Sequence, residues 1–181
     1  MSDSTPQTVT LQKITVTYSP EEDRLRLTAD TGHDQTVVYW ITRRMLGVLL
    51  SPMFKWLEQS AEKGISNDQL ISERNREARL AMAQSSAQAK MQEESPVNAL
   101  PDSQQFLLTS VDVKTEAARF FLLLPLSDHQ KGLIPFEQES LLQWLDIIHR
   151  IIGHASWQLP QWPNWFLEGQ SPRKTEHKAL H

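Results

Sequence analysis

The segment Val37-Val38-Tyr39-Trp40-Ile41-Thr42-Arg43-Arg44 constrains this chain most, because a β-branched and aromatic run passes directly into a leucine-rich helical pattern. Residues of the first kind fit a pleated, half-buried surface, and those of the second recur at helical spacing. The join therefore reads as a strand feeding a helix. An echo stands about eighty residues on, where Phe120-Phe121-Leu122-Leu123-Leu124 precedes, across a loop, a second helix with a tryptophan among its leucines. Two β-then-α units follow, and no catalytic or ligand-binding motif of good specificity stands beside either of them.

Upstream of the first helix the pattern has period two. Ile14, Val16 and Tyr18 alternate with Lys13, Thr15 and Thr17, and after the turn Ser19-Pro20-Glu21-Glu22 the residues Leu25, Leu27 and Ala29 alternate with Arg24, Arg26 and Thr28. With residues 35–41 these runs predict a three-stranded antiparallel meander with one wet face. Thr42 is placed to cap the helix that follows, whose stripe is Leu46, Leu49, Leu50, Met53, Phe54 and Leu57. Pro52 interrupts that stripe, which predicts a kink or a fresh start with Ser51 as cap. Residues 106–113 and 119–126 read as two more strands, the second central and covered on both faces. Residues 136–152 read as the second strong helix, with Gln143, Asp146, His149 and Arg150 on its solvent side.

The fold class expected is α+β: one antiparallel sheet of about five strands, packed by two main helices. A single domain should span 11–167. Residues 64–103 form a polar helical excursion and linker within it, because 66–94 are rich in Gln, Glu, Arg, Ala and Ser and carry only a thin apolar stripe. Residues 1–10 and 168–181 are expected to be flexible tails. The stretch 157–166, with two prolines and no helical continuity, should wrap as an aromatic strap. Trp40, Leu46, Phe54, Leu57, Leu123, Leu145 and Ile148 are the expected core.

Composition narrows the function classes. The chain has 181 residues, a net charge of −4 and no cysteine, which removes disulfides and thiol chemistry and fits a cytoplasmic protein. No apolar run reaches the roughly 18–20 residues a membrane span needs. No cofactor or metal is expected, since Asp146, His149 and His154 offer fewer matched ligands than a metal site uses.

What is in excess is apolar helix face and aromatic strap, so the leading expectation is a non-enzymatic protein–protein interaction or assembly protein. Met53, Trp56, Trp144, Trp157, Trp162 and Trp165 are its candidate contacts, in a homodimer or with another protein, although folding of the strap onto its own core is the favoured role for Trp157, Trp162 and Trp165. The alternative is a single-stranded nucleic-acid-binding sheet whose face carries Lys13, Arg24, Arg26, Arg43 and Arg44. Overall acidity weighs against nucleic acid. Pairing of the helix-start arginines with Glu21, Glu22 or Asp23 is the simpler expectation for Arg43 and Arg44.

The run Glu22-Asp23-Arg24-Leu25-Arg26-Leu27, followed by Trp40-Ile41-Thr42-Arg43-Arg44 ahead of a leucine-rich helix, resembles a signature of small bacterial proteins of uncharacterised function. The resemblance covers about a quarter of the chain. It implies a bacterial origin and a shared fold, and it carries over no substrate, cofactor or catalytic residue.

Overall fold

The alternating runs form the expected meander in the computed structural model, which describes residues 7–32, 34–62, 69–159 and 162–170. Strands β2 (Lys13–Ser19), β3 (Arg24–Gly32) and β4 (Gln35–Ile41) are antiparallel neighbours. Leu25, Leu27 and Ala29 face Ile41, Tyr39 and Val37 across the β3–β4 ladder, and all six are buried.

Instead of one antiparallel sheet of about five strands there are two four-stranded mixed sheets. In the first, β5 (Gln104–Leu107) adds parallel to β4, giving the order β2-β3-β4-β5. The second is built from β6 (Asp112–Thr115), β7 (Phe120–Ser127) and β8 (Gln130–Phe136), with β1 (Gln7–Thr10) parallel to β8, in the order β1-β8-β7-β6.

The differences have local causes. The run 106–113 is not one strand, because Thr109 and Ser110 lie in the passage that carries the chain from one sheet to the other. Strand β8 holds Gly132 and Pro135, which read as strand breakers. Proline is tolerated there because β1 pairs only as far as Leu133, so no neighbour misses the N–H that Pro135 lacks. Residues 7–10, expected in a flexible tail, are an edge strand whose pairing partner lies far along the chain.

The two sheets repeat one another. Leu25 opposes Ile41 and Gly32 opposes Gln35, while Phe120 opposes Phe136 and Ser127 opposes Gln130, each pair displaced by 95 positions. Both hairpins are bulged at the same place, between Asp30 and Gly32 and between Pro125 and Ser127. The repeat thus relates β4 to β8, which lengthens the interval of about eighty read from the sequence. The parallel strands are exchanged: β1, which precedes the first meander, joins the second sheet, and β5, which precedes the second, joins the first.

A helix follows each meander. Helix α1 (Arg43–Glu62) starts where the Thr42 hydroxyl accepts from the Met45 N–H at 3.2 Å. It runs through Pro52 with no new start at Ser51. The carbonyl that proline leaves unpaired belongs to Val48, which is about half exposed at 49%, so water can satisfy it. Helix α3 (Gln138–His154) opens with a reciprocal cap between Glu137 and Ser140. Leu46, Leu50, Met53 and Leu57 of α1 and Leu141, Leu145, Ile148 and Ile152 of α3 occupy equivalent buried positions.

Helix α2 (Gln69–Ala89) is helical as its composition predicts, but it is packed rather than outlying. Leu80, Gln84 and Ala87 share one side and are buried, and contacts run from α2 to α1, to α3 and to α4 (Asn164–Glu168). Its cover reverses the expectation for Asp146, which is fully buried. The Asp146 carboxylate accepts from Gln88 at 3.3 Å and lies 2.8 Å from the Arg150 guanidinium. The residues of the excursion between 63 and 68 lie outside the described residues, as do 1–6 and 171–181 of the expected tails.

The strap turns back onto the core. Trp157, Trp165 and Phe166 are buried, and the Phe54 ring meets Trp162, Trp165 and Phe166 edge-on at 5.4, 6.0 and 6.2 Å. The strap is not extended throughout, although its prolines suggested that it would be: Asn164–Glu168 form the short helix α4, with Pro163 in extended backbone as its N-cap.

Candidate binding faces

The helices and the strap fill the inner faces of both sheets, so binding chemistry has to be sought on the outer faces. Side chains alternate across a strand, and cross-strand partners share a face. The inner set Leu25, Tyr39 and Ala29 therefore leaves Arg24, Arg26, Thr28, Val38 and Trp40 on the outside of the first sheet. In the second sheet the equivalent outer positions are Phe121, Leu123, Leu133 and Pro135.

Part of the first sheet's outer face is covered by the chain itself. Beyond α2 the segment 91–103 runs without regular structure, as its two prolines suggest. The Val97 N–H donates to the Thr15 hydroxyl at 2.8 Å and the Leu100 N–H to the Thr36 hydroxyl at 3.0 Å, while the Thr36 and Ser103 hydroxyls meet. Those contacts carry the segment from β2 to β4 over the cross-strand pair Thr28–Val38, and both residues are buried although they point outward.

The other end of that face stays open. Trp40, expected in the core, lies outside and is partly exposed, with its indole N–H donating to the Gln105 side-chain oxygen Oε1 at 2.9 Å. The Arg26 guanidinium carbon lies 5.8 Å from the Trp40 ring centroid, and Arg26 Nε has no acceptor among the described residues. Arg24 pairs with Glu22 at 3.3 Å. Arg43 lies 4.0 Å from Asp23 and 5.3 Å from the Trp157 ring, and Arg44 is exposed. Of the five cations expected on one face, Lys13 stands apart. It pairs with Asp30 at the far end of the hairpin, whereas Arg24 pairs with Ser19 at the near end.

Asp23 organises that near end. It takes a left-handed conformation, φ 46°, in the turn between β2 and β3, and its carboxylate accepts from the Trp157 indole at 2.7 Å and the Tyr18 hydroxyl at 2.9 Å. These two donors hold its pKa below the ordinary carboxylate value, and the same carboxylate pushes that of the Tyr18 phenol up.

The second sheet's outer face carries different chemistry at the same register. Phe121–Pro135 stands where Arg26–Trp40 stands in the first sheet, and Leu123–Leu133 where Thr28–Val38 stands. Lys114 lies 5.5 Å from the Phe121 ring, and Lys131 pairs with Asp112, so charges rim an apolar centre. Strand β7 is central, as expected, but Leu123 is only half-buried, while Phe121 on the same face is buried beside Lys114.

The other candidate contacts lie within the fold. Met53, Trp56, Trp144, Trp157 and Trp165 are buried, and only Trp162 is half-buried. Trp56 packs on Phe120 and donates to the Glu116 carbonyl at 3.1 Å, and Trp144 packs on Phe136. Of these six side chains, Trp162 alone keeps part of its surface open. The edge of β2 that could have paired with a second copy is flanked by α3.

Among the described residues no three histidine, aspartate or glutamate side chains stand together as a metal site requires, and no helix is long and apolar enough to cross a membrane. Comparison of the chain with protein-family models, with curated proteins and with solved structures gives no match.

Proposed function

We propose that this is a non-enzymatic docking protein that holds an extended segment of another polypeptide against the outer face of its second sheet. One observation carries the reading. At equivalent positions the pair Thr28–Val38, one polar and one apolar side chain, is buried where the chain's own segment 91–103 crosses the sheet, whereas the wholly apolar pair Leu123–Leu133 is left half-buried. An apolar patch covered less than its less apolar counterpart is what an interaction surface presents. The internal repeat supplies the kind of occupant, since the fold already lays one extended stretch of polypeptide across the matching face. Removing such apolar area from water contributes about 25 cal/mol per Å² before the costs of association.

The test is affinity capture from native lysate with the wild-type chain and with a Leu123→Asp/Leu133→Asp double variant. A polypeptide retained by the first and lost by the second, at unchanged melting temperature, supports the reading. Identical capture by both sinks it. Light scattering on the same pair decides whether the occupant is instead a second copy: a mass twice that of the chain, falling to one chain in the variant, would assign it so.

A further inference from the structure

We propose that the open end of the first sheet's outer face binds single-stranded nucleic acid, with Trp40 as the stacking platform and Arg26 as the phosphate ligand. This inference is independent of the docking reading, because it concerns the opposite sheet and different chemistry.

Four observations converge. Trp40 is placed outside the core and is partly exposed, which leaves aromatic surface that a base can cover. Arg26, its cross-strand partner, is half-buried with its guanidinium carbon 5.8 Å from that ring, so a cation is held beside the indole on the same face. Gln105 accepts from the Trp40 indole through its oxygen, which orients its amide NH2 on the same face as a donor for a base edge. Segment 91–103 covers the Thr15–Thr36 end of the sheet and leaves this end clear.

The local charge balance favours an anion more than the whole-chain value of −4 suggests. Arg24 shares the outer face with Arg26, and Arg43 and Arg44 follow directly from β4. The opposing acids are Glu21, Glu22 and Asp23; Glu22 pairs with Arg24 and the ionised Asp23 lies 4.0 Å from Arg43, which leaves Arg26 and Arg44 against Glu21. The ligand is single-stranded because an indole lying on a sheet can stack only on a base that is not already paired and stacked in a duplex. A polypeptide fits less well here, since Leu107, 48% exposed, is the main apolar side chain beside Trp40.

The experiment is fluorescence anisotropy of a labelled oligothymidylate titrated with the full chain at low salt. Micromolar binding is expected, weakening as salt rises with a log–log slope of about −0.7 per phosphate contacted. Arg26→Gln should weaken it about tenfold while Lys55→Gln, exposed on α1, leaves it unchanged. The indole N–H resonance of Trp40, assigned through a Trp40→Phe variant, should shift on titration of the wild-type chain, a readout that does not depend on a variant retaining full stability. Absence of binding by the wild-type chain, wild-type affinity in Arg26→Gln, or equal affinity for a duplex of the same sequence would each overturn the proposal.

Discussion

The Tyr39 hydroxyl lies against the backbone of Gly132, so that a β-carbon at position 132 would stand 3.1 Å from it and 3.0 Å from a methyl of Leu11. Tyr39 belongs to the inner face of the first sheet and Gly132 to that of the second, and this contact sets how closely the sheets approach. Gly132→Ala should destabilise by about 1–3 kcal/mol through overpacking, and Gly132→Val by more, read as a lower urea midpoint at unchanged slope. Tyr39→Phe in the Gly132→Ala background should recover part of the loss, since the hydroxyl has no partner among the described residues and burial already pushes its pKa up.

The helix interior gives a prediction of each sign. Leu145 is fully buried in α3, and Leu145→Ala should cost about 2–5 kcal/mol. Gln84 is equally buried between helices, but neither atom of its amide finds a partner among the described residues. Gln84→Met should therefore raise stability by about 1–2 kcal/mol, the cost of burying an unsatisfied amide. A melting temperature lowered by that substitution would show that the amide is paired in solution.

Two groups tie the strap to pH. Asp23 is held below its ordinary value of 3.8 by the Trp157 indole and then by the Tyr18 hydroxyl. Its folded value lies below the unfolded one, so its contribution is complete above the ordinary carboxylate value and is lost as pH falls through the folded value. His149 packs edge-on against Trp162 at 4.7 Å, and burial holds its pKa below 6.5 against the opposing pull of Asp146. The fold thus favours the neutral imidazole, and stability declines as pH drops below the ordinary histidine value. Acid should loosen the strap in two steps. The step near neutrality disappears in His149→Phe and the lower one in Asp23→Asn, as read by tryptophan fluorescence.

Hydrogen exchange should divide α2. Residues 73–79 are exposed or nearly so, whereas Leu80, Gln84 and Ala87 pack inward. Amides of the first part should exchange faster than those of 80–88, and all of α2 faster than 141–152. Uniform protection along α2 would mean that its first turns are held as firmly as its last.

What the sequence could tell follows from how each element is specified. β2 and β3 were legible because polar and apolar residues alternate, and α1 and α3 because their stripes are long. In β4 the run Val37 to Ile41 is apolar throughout, so periodicity predicts the strand but not which way Trp40 points; that is decided by the pairing of Leu25 with Ile41. β1 and β5 carry four residues each and are defined by parallel partners in the other half of the chain, a relation no local window contains. Asp146 looked like a solvent residue because the helix that buries it is itself polar. The outer-face site was visible only in part: the arginines were readable, but their grouping with Trp40 and their separation from Lys13 required the register.

The exchanged strands impose an order on synthesis. The first meander leaves the ribosome with all three of its strands, yet its fourth, Gln104–Leu107, emerges only after α1 and α2 have been made. Gln7–Thr10 waits longer still, because its partner Gln130–Leu133 lies near the far end of the chain. Neither half can complete its sheet without the other, so a chain cut between α1 and α2 should not yield two independently folded pieces. Closing such distant contacts slows folding, and until β8 arrives the amino-terminal strand remains an unpaired edge that a chaperone can hold.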